Sequence, residues 1–279
     1  MKRKLVLVFC IITLLFSITG TVAARFSSVE EFFLATKIRS IKLTTYSGMI
    51  AWYPLEEGER PRIIVEAEAN GSSQKVTRQF LKQLEIQSVR TGSHLELSVI
   101  EPMLPPGISS TATNFIIYAG PRAIAEIIAR TDNGSIVMDV EFDGIMRLSA
   151  QNGPITLQNG AGQITAITTN SEIEFGEIKF TDSSTFQTSN GKIKGKPRFP
   201  DDGLFVFQTT NAPIYLDVPE NTFGKFSLMT SGGFIEFDLG YDRRSGETIV
   251  EVDRGNGPSI QVLTSNDDIT VEDPHAILR

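Results

Sequence analysis

The sequence predicts a mostly β protein: a single-stranded, right-handed β-helix or β-roll solenoid with coils of about 20 residues and one short helix near 72–84. Three observations carry this. A motif, Thr-x-Asn-x-x-Ile, recurs across the second half of the chain. Its period is nearly constant, which is the mark of stacked units. The period is also too short for a helix pair, and the expected buried positions hold Ile, Val and Phe rather than a leucine-rich pattern.

The motif reads Thr131 to Ile136, Thr168 to Ile173, Thr188 to Ile193, Thr209 to Ile214 and Thr264 to Ile269. Looser copies run from Ala150 to Ile155 and from Thr230 to Ile235. The Asn-equivalent positions are 133, 152, 170, 190, 211, 232 and 266, so the steps are 19, 18, 20, 21, 21 and 34.

The elements follow in order. Lys2, Arg3 and Lys4 precede an apolar run from Leu5 to Ile18, and Val22-Ala23-Ala24 has the form of a cleavage site. Residues 1–24 therefore read as a secretory signal peptide cut after Ala24. An uncleaved anchor is the rival reading, because Leu5 to Ala24 is twenty residues without a charge. The strongly apolar part is shorter than that, which favours cleavage. Residues 25–130 form a less regular β portion. Ser40–Thr45, Arg62–Ala67 and His94–Val99 alternate apolar and polar positions as half-buried strands do. Val76, Phe80, Leu81 and Leu84 fall at helical spacing, with Ser72 or Ser73 as the cap. Glu101 to Asn114 is rich in Pro, Gly, Ser and Thr and reads as an exposed loop. Tyr46 to Ile50 and Thr91 to Leu95 look like worn copies of the motif. Residues 131–279 hold the regular repeats, continuous with 25–130 as one domain. The long last step is read as a hairpin over Leu239–Val252, turning at Asp242–Glu247, that loops out from an otherwise constant coil.

Each residue of the motif has a physical reason. Thr suits the end of a strand. Asn tolerates a left-handed backbone, and Asn-Gly at 133, 152, 159 and 190 is a strong turn signal. The Ile begins the next strand and points inward. Stacking would align Asn on Asn at about 4.8 Å, close enough for side-chain amides to bond along the column.

Composition narrows the function. Without residues 1–24 the chain has 26 − 3 = 23 basic against 33 acidic residues, a formal charge of −10. That argues against nucleic acid or an anionic membrane surface as partner. Membrane contact is expected only through an uncleaved leader. Cys10 is the only cysteine, so a cleaved chain has none to form a disulfide.

Together, the Asn-Gly turns after Thr-rich strands, the Leu216-Asp217-Val218-Pro219 step and the closing Gly257-to-Val271 segment resemble the bacterial "putative adhesin" domain family. The resemblance covers roughly 35–272. It implies an exported β-strand-repeat domain with a cell-envelope role, in a family largely of unknown function, and it carries over no catalytic residues. Ser171, Ala212 and Asp267 stand where the family has a turn Gly.

No catalytic, cofactor-binding or metal residues are expected. His94 and His275 are the only histidines, and with no Cys partner they make no zinc pattern. Asp201-Asp202 and Asp267-Asp268 read as solvated turn acids. Phe175, Phe205, Phe207 and Phe237 read as core, and Trp52-Tyr53, though the best candidates for an exposed aromatic contact, read better as core or edge packing. The expected function is a non-enzymatic, extracytoplasmic envelope or surface module, adhesin-like or scaffolding, with a glycan or protein partner from that environment. The alternatives are a polysaccharide-acting parallel β-helix enzyme and a purely structural spacer. Interaction residues are expected in the turns and in the excursions at 101–114 and 239–252.

Overall fold

The computed structural model describes residues 24–273, so residues 1–23 of the expected 1–24 leader, and His275, lie outside the described residues. Among the described residues the chain is mostly β, with one short helix. The N-terminal portion contains β1 (Ala24–Phe33), β2 (Ser40–Thr45), β3 (Ile50–Tyr53), β4 (Arg62–Gly71), α1 (Gln74–Leu81), β5 (Glu85–Thr91), β6 (His94–Ile100) and β7 (Ile108–Tyr118). The regular portion contains β8 (Glu126–Thr131), β9 (Ile136–Met138), β10 (Phe142–Ala150), β11 (Ile155–Leu157), β12 (Gly160–Ile167), β13 (Ile173–Phe180), β14 (Ser184–Gln187), β15 (Ile193–Arg198), β16 (Leu204–Gln208) and β17 (Ile214–Asp217). The last portion contains β18 (Lys225–Met229), β19 (Ile235–Leu239), β20 (Asp242–Gly246), β21 (Ile249–Asp253), β22 (Ser259–Leu263) and β23 (Ile269–Glu272).

Each repeat gives one strand to each of two ladders. The first ladder runs β2-β8-β10-β12-β14-β16-β22-β18, all parallel. The second runs β3-β9-β11-β13-β15-β17-β23-β19, also parallel. The Thr-x-Asn turn joins them. Its Ile lands on one column: Ile50, Ile136, Ile155, Ile173, Ile193, Ile214, Ile269 and Ile235 are in register and fully buried. One cluster of buried side chains runs from Ile38 to Val271. Phe175, Phe205, Phe207 and Phe237 are buried in it as expected, and Phe186 lies between Phe175 and Phe207 with ring centroids at 4.5 and 5.3 Å.

The strand order departs from the chain order at both ends. The layer of β2 and β3 lies between the β6–β7 and β8–β9 layers. The layer of β22 and β23 lies between β16–β17 and β18–β19. Beyond these the pairing turns antiparallel. β1-β4-β7 and β5-β6 close one end, while β20 pairs with β19 and β21 with β18 at the other. Such atypical terminal units are expected of a stacked array. The outermost strands carry Arg243, Arg244, Glu251 and Asp253, charges that discourage further strand addition.

Three expectations need correction. Residues 242–246 are not the turn of a hairpin looping outward. They form β20, the turn falls at Gly240-Tyr241, and the strands cover the end of the stack because its last parallel strands would otherwise lie open. Only 101–107 is a loop. Residues 108–114 belong to β7, where their Ser and Thr residues pair along the long strand β4. Thr91–Leu95 is not a worn repeat but the turn of the β5–β6 hairpin, with Gly92 at φ +61°. The helix forms as expected, and Ser73 Oγ accepts from the Val76 amide at 3.4 Å.

Candidate functional site

The repeat residues themselves are consumed by structure. Six Asn side chains form a continuous ladder: Asn152 donates to Asn133, Asn170 to Asn152, Asn190 to Asn170, Asn211 to Asn190 and Asn266 to Asn211, at 2.7–2.8 Å. The column predicted from spacing is therefore present. Asn266 follows Asn211 directly because β22 and β23 insert there. The Thr residues do more than end strands. They are buried, and each hydroxyl donates to a turn carbonyl of the neighbouring layer: Thr131 to Gly48, Thr168 to Gly153, Thr188 to Ser171, Thr209 to Gly191, Thr264 to Ala212 and Thr230 to Asp267, at 2.8–3.0 Å. No sequence signal distinguishes this bond from ordinary β propensity.

The turn glycines are required by more than the turn itself. Gly153 is not among the glycines with positive φ. A Cβ there would lie 1.8 Å from the Gly134 carbonyl oxygen, so close stacking requires Gly.

Trp52 is fully buried and its indole N–H donates to the Ala119 carbonyl at 3.0 Å. Half-buried His94 lies 2.9 Å from Ser40 Oγ, which donates to Glu126 at 2.9 Å, and Glu126 pairs with Arg147. The serine proton goes to the carboxylate, so His94 Nδ1 is the donor. This is a crosslink over neighbouring strands: the Ser sits between His and acid, whereas a nucleophilic triad places His in the middle. Asp267 and Asp268 bond to turn amides, with Asp268 accepting from Phe234 N at 2.7 Å. Asp201 and Asp202 are exposed.

The outward faces of the two ladders differ in chemistry. The second ladder is charged. Lys196–Asp217 and Arg198–Glu177 are paired on it, Arg243 of the adjoining β20 pairs with its Asp238, and Lys192–Glu172 flanks it. Asp217, Glu272 and Asp238 face outward on three successive strands. Burial, then the neighbouring Asp217, Glu236 and Asp238, push the Glu272 carboxyl above its ordinary range.

The first ladder presents no charge from β12 to β22. β12 offers Gln163, Thr165 and Ile167. β14 offers Thr185 and Gln187, and β16 offers Leu204, Val206 and Gln208. β22 offers Ser259, Gln261 and Leu263. This face is flanked by Arg147 on one side and Lys225 on the other.

One open concavity, of about 550 Å³, lies against Arg122, Glu141, Phe142, Asp143 and Gly160. Its two carboxylates come from one stretch of chain, not from successive layers. Among the described residues, no group of three or more His, Cys, Asp or Glu is placed to hold a metal ion. Among them too, no helix is long and apolar enough to cross a membrane.

No family model and no curated protein matches the chain. Among solved structures, it is similar to a putative adhesin from Bacteroides fragilis at 9% identity, covering 88% of this chain and 96% of that one, with a TM-score of 0.43. It is similar to a putative cell adhesion protein from Clostridium sporogenes at 11% identity, covering 88% and 99%, with a TM-score of 0.31. A putative lipid binding protein from Parabacteroides distasonis matches at 10% identity over 88% and 96%, with a TM-score of 0.35. The chain thus resembles the bacterial "putative adhesin" family in its repeat, and solved structures similar to it carry that name.

Proposed function

We propose that the chain is a non-enzymatic binding module of the cell envelope or surface, exported by its leader and built as one continuous right-handed β-solenoid domain. The right-handed sense follows from the general handedness of parallel crossovers within a sheet. The observation that carries the binding reading is the uncharged face of the first ladder. In a chain with 21% charged residues, eleven outward positions on four adjoining strands hold none. Depletion of charge at the centre of a rigid face is what recognition surfaces share. The repeat supplies rigidity, since Ile fills the interior while Thr and Asn tie layer to layer.

The enzyme alternative draws on Asp217, Glu272 and Asp238. Two of these three are engaged by Lys196 and Arg243, and the row lies on an outward strand face. Arrays of glycans and matrix proteins probed with the purified chain test the binding reading. Specific retention of at least one class is the expected result, and retention of none sinks it in favour of a spacer.

A further inference from the structure

We propose that the uncharged face of the first ladder binds a neutral, extended polysaccharide chain laid along the stack, one sugar ring to each layer. This rests on the binding reading above and names its ligand. Gln163 donates to the Ser183 carbonyl, but most polar groups of the face have no such internal work. The ladder asparagines bond to each other, the motif threonines to turn carbonyls, and many acids of the second ladder to bases. By contrast, Thr165, Thr185, Gln187, Gln208 and Gln261 have no side-chain partner among the described residues. Thr165 stands beside Thr185, and Gln187 beside Gln208, in register on adjacent strands. A pair of hydroxyls and a pair of amides therefore stand side by side at the strand spacing of about 4.8 Å. Val206, between Thr185 and Gln261, supplies the apolar contact that the C–H face of a sugar ring requires.

Charge and area select the ligand. A face without charged groups offers nothing to a polyanion, and its amides and hydroxyls match the donors and acceptors of neutral sugar hydroxyls. Four strands at about 4.8 Å and five residues at about 3.3 Å span roughly 300 Å². That is well below the roughly 800 Å² per partner of a stable protein interface, so a second copy of the chain is a poor occupant. A narrow linear glycan needs no more.

The test is co-sedimentation of the purified chain with insoluble cellulose, chitin and a β-1,3-glucan, with alginate beads as the anionic counterpart. The expected result is retention on at least one neutral polymer and none on alginate. Gln187→Ala/Gln208→Ala should weaken that retention about tenfold and Gln208→Arg should abolish it, while Lys194→Ala on the charged ladder leaves it unchanged. Circular dichroism and the melting temperature establish that each variant is folded. Undiminished binding by folded Gln208→Arg overturns the inference and leaves a binding module with its site elsewhere. Retention by alginate alone, or concentration-dependent dimerisation abolished by Gln208→Arg, overturns it as well. An empty glycan and matrix array together with no sedimentation overturns the binding reading itself.

Discussion

Replacing Thr209 with valine keeps the shape of the side chain and deletes one hydroxyl. Thr209 is 2% exposed, and its Oγ1 lies 2.9 Å from the Gly191 carbonyl of the neighbouring layer. The loss has two parts. The hydrogen bond is worth about 1 kcal/mol net, and the buried carbonyl left without a donor costs about another 1–3 kcal/mol. The sum is about 2–4 kcal/mol. For a domain of this length, 1 kcal/mol corresponds to roughly 2–4 °C, so Thr209→Val should melt about 4–16 °C lower. The molecule contains its own converse. Ala150 occupies the Thr slot of one layer, so the Gly134 carbonyl receives no such bond. Ala150→Thr should recover about 1 kcal/mol. Urea denaturation followed by circular dichroism measures both. If Thr209→Val lies within about 0.5 kcal/mol of the parent, the hydroxyls do not tie the layers and the account of the Thr column is wrong.

Asn190→Ala removes the donation to Asn170 and the acceptance from Asn211. Both bonds are exposed, so the cost should be about 1 kcal/mol, read from the same urea curves. Arg254 donates to the Leu239, Glu220 and Thr222 carbonyls and to Asp242, at 2.6–2.9 Å, with only 13% of its side chain exposed. Arg254→Ala should cost about 3 kcal/mol and open the corner at 219–224 and 240–241 to proteolysis, which peptide mapping of the nicked chain detects. Glu272→Gln should stabilise the chain at neutral pH by about 0.5 kcal/mol, the scale for like charges on neighbouring strands. Its folded carboxyl titrates above its unfolded value, so the folded state holds more protons. The parent therefore gains stability as pH falls through the folded value towards the unfolded one, and the advantage of Glu272→Gln should vanish there. Melting temperatures between pH 4 and 8 give the sign.

The repeat was legible because it is a register device. Ile at a fixed offset from Asn predicts one buried column and one amide ladder, and both are present. The function of Thr was hidden, since strand-ending β propensity and an interlayer hydroxyl bond look the same in a sequence. The requirement for Gly153 is hidden in the sequence because the clash that excludes a side chain comes from Gly134, 19 residues away. Strand order at the ends was hidden for a similar reason. The 34-residue step between positions 232 and 266 gives the length of an excursion, not where the chain re-enters. The uncharged face emerges only once β12, β14, β16 and β22 are known to be neighbours, and β22 is distant in sequence from β16.

The inserted layer of β22 and β23 also governs how the molecule can be assembled. A stack built in chain order could zip up as it leaves a ribosome or an export pore, each layer templating the next. Here β18 to β21 must form while the place beside β16 and β17 is still vacant, or form there and then yield it. The last strands act as a keystone, and non-local closure of that kind slows folding. On the first of these routes, two parallel strand edges face each other across an open slot until it arrives. The same segment of a second chain fits that slot equally well, so concentrated refolding carries a hazard of exchanged keystones.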